Sequence, residues 1–373
     1  MPKQQDYTKL KRIYPVVRMN TKKRNQPIAN SLLKCNFHGT VSIGTAYTSP
    51  QAGSNPSRNF LKDLSGTDSY GTVWPTSFEN LFGSGVRTFI QTLPSENISG
   101  ANDAAKTLVL DTLATHEIRT LGTPVNGLTK YLHNELTART IPVGDSPAPQ
   151  TVPTIQRSNT VTNDIDTFCM RQVVRLPSNL NSILEYPTPS NAYWLVIQNF
   201  KTGGYSESAS IGDYRFKLQI NKDANGIHWS IIGDNSANGF SDIPSSDPDT
   251  TIYWQIDADN TQVPVFLDEW LEIYTYIKRP TKIWTRETPG DTNTPYVQEI
   301  TTGRTLVVMK RLSTGRYYLI GDQQGDTQVG VENCPWTRFF YMTYCNANTP
   351  VYTQTLELEF YDNLPFTLSS VGL

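Results

Sequence analysis

The sequence predicts an all-β protein, a two-sheet antiparallel β-sandwich preceded by an extended basic arm. Three observations predict it. Apolar content is 37% and charge only 18%, with 24 Gly, 24 Pro, 19 Tyr and 14 Phe. That mix favours strands joined by many turns. Apolar and polar residues alternate with period two in run after run beyond residue 165, which places one face of each run in a core. The segments between runs carry turn residues, such as Asn225-Gly226 and Ser313-Thr-Gly315, whose backbone preferences suit hairpins. Many short strands at this spacing imply two packed sheets.

The clearest strand is Trp270-Leu-Glu-Ile-Tyr-Thr-Tyr-Ile-Lys278, preceded by Phe266-Leu-Asp-Glu and closed by Arg279-Pro280. Leu271, Ile273, Thr275 and Ile277 share one side. Trp270, Glu272, Tyr274, Tyr276 and Lys278 share the other, spaced about 7 Å apart along the strand. The expectation is that the first side enters the core and the second lines a trough open to solvent, either a solvated sheet face or a sugar-binding floor.

The remaining elements follow in order. Residues 1–30 carry Lys3, Lys9, Lys11, Arg12, Arg18, Lys22, Lys23 and Arg24 against the single acid Asp6. The arm is therefore +7, and with a chain total of −2 the remainder is −9. Such a segment orders on a partner, be it nucleic acid, an acidic protein surface or a neighbouring subunit, or stays a solvated tail. The arm residues expected to make that contact are Lys9, Lys11, Arg12, Arg18, Lys22, Lys23 and Arg24. Residues 31–45 read as a first strand ending at a glycine, and 46–75 as loop-rich. Residues 101–115 are the best helix candidate, although Thr107 to Thr115 also reads as a strand. Leu128 to Thr137 reads as a strand. The Pro-, Ser- and Thr-rich segment 142–163 reads as a linker or long surface loop. Strands are then expected at Ile165–Leu176, Tyr193–Phe200, Tyr214–Ile220, His228–Ile232, Thr251–Ile256, Glu269–Ile277, Thr305–Lys310, Tyr317–Ile320, Phe339–Cys345 and Thr355–Tyr361.

Composition also narrows function. A net charge of −2 does not describe a polyelectrolyte binder. No run approaches the roughly 18 apolar residues of a membrane helix, and the polar N-terminal segment is not a secretory signal. Cys35, Cys169, Cys334 and Cys345 lack C-x-x-C spacing, which argues for buried thiols over a zinc site; a Cys334–Cys345 disulfide requires an oxidising compartment. No cofactor is expected. Asp247, Asp249, Asp257 and Asp259 flank one strand and offer oxygens to Ca²⁺, although solvated turns are the favoured reading. His38, His116, His133 and His228 are scattered and read as packed or exposed side chains. Trp194, Trp229, Trp254, Trp270 and Trp336 read mainly as core fillers.

From about residue 31 to 365 the order of features resembles a concanavalin A-like jelly roll, in its polysaccharide-lyase and heparin-lyase-like branch. The residues that carry the resemblance are Phe37-His-Gly39, Gly66-Thr-Asp-Ser-Tyr-Gly71, Gly127-Leu-Thr-Lys-Tyr-Leu-His133, Met170-Arg171-Gln-Val, Val263-Pro264 with the Trp270 strand, Gly303-Arg304-Thr-Leu, and Leu356-Glu-Leu-Glu-Phe-Tyr361. The resemblance implies one domain over 31–373, with 142–163 as a loop inside it, and a groove on one sheet. It suggests glycan-binding candidates Arg171, Gln198, Glu272, Tyr274, Tyr276 and Tyr344.

Catalysis has weaker support. Lyases of this branch write Gln-(Ile/Val)-His where this chain has Gln219-Ile220-Asn221, and Arg-x-Glu where it has Arg171-Gln-Val. Tyr214-Arg-Phe-Lys217 only loosely meets a Tyr-x-Lys pattern. No paired-carboxylate run of the retaining-hydrolase kind is present, so no catalytic residue is assigned. Three readings stand: a non-enzymatic virion protein, oligomeric and docked to other virion proteins through the arm, with a glycan-binding or structural jelly roll; a lyase acting on acidic polysaccharide; and a cellular lectin. The first reconciles a glycan-facing composition with the missing export signal, since virus and phage proteins leave the cell by assembly and lysis.

Overall fold

The computed structural model describes residues 29–48, 60–93, 114–136, 150–157, 165–180, 193–202, 214–223, 226–235, 253–279, 284–286, 296–298, 303–325, 336–345 and 351–373. The basic arm up to residue 28, most of the 101–115 helix candidate, Asp247, Asp249 and Cys334 lie outside them.

The chain begins with β1 (Ser31–Asn36), β2 (Ser42–Ile43), β3 (Tyr47–Thr48), β4 (Phe60–Thr67) and β5 (Val73–Trp74). A short helix, α1 (Thr76–Phe82), leads to β6 (Arg87–Leu93). Next come the hairpin of β7 (Ala114–Val125) and β8 (Leu128–Leu136), then β9 (Gln150–Gln156) and β10 (Thr167–Arg175). β11 (Tyr193–Thr202), β12 (Tyr214–Asp223), β13 (Gly226–Asn235) and β14 (Tyr253–Asp257) form a meander. The chain ends through β15 (Trp270–Lys278), β16 (Trp284–Arg286), β17 (Tyr296–Gln298), β18 (Gly303–Arg311), β19 (Tyr317–Gly325), β20 (Trp336–Cys345), β21 (Val351–Tyr361) and a 3-10 turn at Leu368–Val371.

Two large antiparallel sheets result. One has eight strands in the order β19-β18-β15-β10-β21-β8-β7, with β1 also paired to β21. The other has eleven, β14-β13-β12-β11-β20-β9-β6-β4-β2, with β3 and β5 also on β4. β16 and β17 pair only with each other. The protein is therefore an all-β sandwich, as composition and periodicity predict, and every strand expected beyond residue 165 is present with shifted ends.

The two inner faces meet in one apolar core. Phe168, Met170, Ile273, Val307 and Phe360 enter it from the eight-stranded sheet, and Phe200, Phe216, Leu218, Trp229 and Phe339 from the other. Phe339 packs 5.3 Å from Phe168 and 5.4 Å from Phe200, so one aromatic cluster spans both sheets. Each fully buried Phe stabilises the fold by about 1.5–3 kcal/mol. Of the five tryptophans read as fillers, Trp229, Trp254 and Trp336 lie in this core.

Two expectations are overturned in the first half of the chain. The segment 142–163 is not simply loop, because residues 150–156 form β9, which sits between β20 and β6. Its Pro153 pairs with Ile90 of β6, and the ladder to β20 lapses opposite it, between Thr154–Phe340 and Thr151–Thr343. A proline lacking its N–H is tolerated where a ladder is interrupted. The first strand stops at Asn36, because the chain then turns sharply against the end of β4. A Cβ at Gly39 would lie 2.4 Å from the Thr67 carbonyl oxygen, and one at Gly66 2.4 Å from that of Thr40. Both residues also hold φ well above +100°, which only glycine adopts readily.

Candidate functional site

The Trp270–Lys278 strand is buried on both sides. Leu271, Ile273 and Ile277 enter the core as expected, but Glu272 is only 4% exposed, and Tyr274 and Tyr276 are equally sequestered. The open trough is thus a covered surface. Leu364, Phe366 and Leu368 pack over Cys169, Tyr274, Tyr276, Leu306 and Val308. Alternation reports which residues share a face and is silent on what later lies across that face.

Arg171 is likewise not free to meet a ligand. Register sets it beside Tyr274 on β15 and Glu359 on β21. Its guanidinium donates to Glu272 Oε1 at 2.5 Å, to Glu359 Oε2 at 3.2 Å and, more closely, to Glu357. Lys310 donates to Glu272 at 2.9 Å, and Lys34 lies 3.6 Å from Glu357. The Tyr70 hydroxyl donates to Glu357 at 2.5 Å and the Tyr274 hydroxyl to Glu272 at 3.1 Å. Three acids and three cations therefore close on themselves. Burial alone would push the Glu272 carboxyl up and the Arg171 guanidinium down. The opposite charges outweigh it, holding Glu272 below the usual carboxylate range and raising Arg171. Tyr274 is raised by burial and then by Glu272. These groups are held charged or neutral by one another, which suits a structural cluster.

Gln198 lies in a third place. A bulge shifts the β11 register between Val196 and Gln198, so that Gln198 pairs with Leu218 and Tyr341, both core-facing. Its amide nitrogen donates to Gln172 Oε1 at 2.9 Å and its amide oxygen accepts from the Thr275 hydroxyl at 2.6 Å. Gln172 in turn donates to the Thr355 hydroxyl at 3.0 Å. This polar seam joins the sheets through the core, and Gln198 is a structural residue. Tyr344 belongs to the eleven-stranded sheet, in register with Val196 and Gln150. The six candidates thus divide among the outer face of one sheet, the core and the second sheet.

The second sheet carries a polar assembly that the candidate set missed. On β12 the inward residues are Phe216, Leu218 and Ile220, so Arg215, Lys217, Gln219 and Asn221 face away from the eight-stranded sheet. Register sets Arg338, Lys201 and Arg215 side by side across β20, β11 and β12. The next row is Phe340, Asn199 and Lys217. Further along, Asn221 lies between Trp194 and His228. The centre is sequestered: Asn199 is 5% exposed, Asn221 4% and His228 8%. The Gln219 amide donates to Asn221 Oδ1 at 2.7 Å. His228 Nε2 lies 3.7 Å from Asp257 Oδ1, and Nδ1 3.4 Å from the Gly226 carbonyl. Burial pushes the Asp257 carboxyl up, and hydrogen bonds led by that from His228 bring it below its ordinary value. Asn199 Oδ1 is buried without a hydrogen-bond partner among the described residues. An orphaned acceptor in a polar, cation-rimmed face is where a ligand donor would be rewarded.

The signal was visible in Tyr214-Arg-Phe-Lys-Leu-Gln-Ile-Asn221, with a polar residue at every second position. The juxtaposition of Asn221 with His228 was not, since it depends on strand register. As for a cation site, Asp259 caps Thr261 through its backbone N–H at 2.8 Å, and no cluster of three or more metal-binding side chains occurs among the described residues.

No protein-family model matches the chain, and no curated protein does. Among solved structures it is similar to the alginate lyase AlyC3, with TM-score 0.35 and 10% identity over 70% of this chain and 93% of that one. It is also similar to the binding domain of botulinum neurotoxin DC in complex with SialylT, with TM-score 0.33 and 8% identity over 80% of this chain and 46% of that one. The binding domain of Paraclostridial mosquitocidal protein 1 gives TM-score 0.32 and 10% identity, covering 69% of this chain and 46% of that one. Scores of this size do not mark a shared topology.

Proposed function

We propose that the chain is a non-enzymatic carbohydrate-binding β-sandwich of a larger particle such as a virion, joined to it through the basic arm. The outer face of the eleven-stranded sheet is its binding surface. The observation that supports this reading is the buried, unpartnered Asn199 Oδ1 beside the Arg338–Lys201–Arg215 row. A sugar hydroxyl that displaced what covers this atom would supply the missing donor, and the neighbouring cations favour glycans bearing carboxylate or sulfate groups. The particle is inferred from the charge of the arm, +7 over residues 1–30 against −9 for the rest of the chain, which suits contact with an acidic neighbour.

The test is glycan-array binding by the wild-type chain and by a K201A/R215A variant. Loss of the charged contacts should weaken retention of acidic glycans by about tenfold or more, as a charge-assisted hydrogen bond contributes about 1.5–3 kcal/mol. Equal retention by both chains, with circular dichroism unchanged, would remove the assignment. Deletion of residues 1–28 should abolish incorporation into particles while glycan retention persists; incorporation at wild-type levels would separate the arm from assembly.

A second reading, a lyase acting on acidic polysaccharide, is favoured by one contact. The imidazole absent after Gln219-Ile220 is supplied across the strand by His228, opposite Asn221. A base beside an amide is the pairing a proton abstraction next to a carboxylate needs. Rising absorbance from unsaturated ends on uronate polymers, lost in H228A, would favour this reading over pure binding.

A further inference from the structure

The outer face of the eight-stranded sheet carries a second polar row, toward β8. On β8, Leu132 and Leu136 enter the core and Asn134 donates to the Thr151 carbonyl of the other sheet, so Tyr131, His133 and Glu135 face outward. His133 Nε2 lies 2.8 Å from Glu135 Oε2, and Nδ1 lies 3.5 Å from the Gln354 amide nitrogen of β21. A carboxylate only accepts, so Nε2 carries the proton of the neutral ring and Nδ1 is its acceptor. Burial, the main influence on this imidazole, lowers its pKa and favours the neutral form, against a partial rise from Glu135. Gln354 then turns its NH2 to His133. Its Oε1 is left buried without a hydrogen-bond partner among the described residues, on a residue only 7% exposed. Register pairs Gln354 with Arg175 of β10, whose Nε is also buried and unpartnered among the described residues. An orphaned acceptor and an orphaned donor thus sit on paired residues.

We propose that this row is a second binding site, which takes a hydroxyl of a neutral carbohydrate. A hydroxyl oxygen accepts from Arg175 Nε while its proton goes to Gln354 Oε1. One group then answers both orphans, which neither a carboxylate nor an ammonium can do. The surrounding charges favour a neutral ligand. Glu117 accepts from Arg119 at 2.6 Å, Arg175 pairs with Asp268, and Glu135 faces the neutral imidazole. An acidic glycan would meet one carboxylate in excess. The flanking rings suit a sugar. Tyr352 lies 5.1 Å from His133, and Trp270 stands edge-on 5.9 Å from Tyr131. Both Tyr352 and Trp270 are half-buried, and such rings offer an apolar face beside a polar handle. The hydroxyl enters as the Arg175 side chain shifts, since its pair with Asp268 is part-exposed and pairs of that kind hold weakly. The site is separate from the Lys201–Arg215 surface, which lies on the other sheet.

Two measurements test it. The neutral and acidic members of a glycan array are read separately with wild-type chain and with Q354L, which keeps the bulk of the side chain and removes the acceptor. Q354L should retain the neutral glycans held by wild type about tenfold less well, as loss of one buried acceptor predicts. The acidic members report on the Lys201–Arg215 surface, so the two assignments fail separately. Equal neutral retention by both chains, or no neutral glycan held by wild type, would overturn the inference. The second measurement needs no variant. Nitrogen-15 shifts of His133 in wild-type chain at about pH 7 should show Nε2 protonated and Nδ1 bare. The opposite tautomer, or a doubly protonated ring, would turn Gln354 Oε1 onto Nδ1, leave no acceptor for a hydroxyl and equally overturn it.

Discussion

Arg171 illustrates what a residue type can and cannot announce. A lone arginine in an alternating strand reads as a ligand for an acidic group, and the acidic groups it meets are the chain's own Glu272, Glu357 and Glu359. Removing it would strand three carboxylates on a buried face. R171L should therefore destabilise the chain by about 3–5 kcal/mol, the range for breaking a buried ion pair from one side, measured as a shift in the urea midpoint. A change under about 1 kcal/mol would mean that Lys34 and Lys310 suffice. Gln198 carries the same lesson without charge. Its identity suits a glycan contact, yet one bulged residue turns it into the core, where Gln172 and Thr275 satisfy it.

At the scale of the element, the Gly39–Gly66 approach is a rule broken locally for a purpose. The two backbones cross too closely for any side chain, and an isolated bridge joins Gly39 to Asp68. Asp68 then accepts from Asn36 N at 2.8 Å, Tyr70 N at 2.8 Å and Thr72 N at 2.9 Å, so one carboxylate organises the loop that carries Tyr70 onto Glu357. G66A should cost about 2 kcal/mol or more, from strain at positive φ plus the clash with Thr40. Thermal unfolding at an unaltered midpoint would contradict it. The cover of Leu364, Phe366 and Leu368 over β15 and the proline-bearing β9 are also facts of this scale. Neither is legible locally: composition places proline in loops on average and alternation does not report what covers a face, whereas a gap in one ladder or a segment lying across a sheet decides the individual case.

At the scale of the molecule, polar links as well as apolar contacts hold the sheets together. His116 on β7 meets Asn134 Oδ1 of β8 at 2.9 Å on one side of the sandwich, and the hydroxyls of Thr92 and Thr151 of the other sheet at 3.0 and 3.1 Å. Burial is the main reason that its pKa falls to about 4, against a partial rise from Asn134. In the unfolded chain the imidazole titrates near 6.5. The folded state thus binds fewer protons between these values, so this contribution is complete above about pH 6.5 and is lost as pH falls toward 4. It amounts to about 3 kcal/mol at most. Urea midpoints between pH 7 and pH 4.5 should fall, and H116Q should flatten that part of the fall; an equally steep fall in H116Q would assign it to carboxylates.

The sequence alone determined the all-β class, the antiparallel sandwich, the positions of the later strands and which side of Trp270–Lys278 enters the core. Those follow from two-residue periodicity and turn chemistry, which are local properties written along the chain. Only the tertiary structure decided that the other side of that strand is roofed by 364–368, that Gln198 points inward, and that Asn199, Lys201, Arg215, Asn221 and His228 share one face. Each of those depends on register between strands distant in sequence, or on one segment lying across another. Hydrogen-bond pairing and side-chain packing select such arrangements cooperatively over the whole molecule.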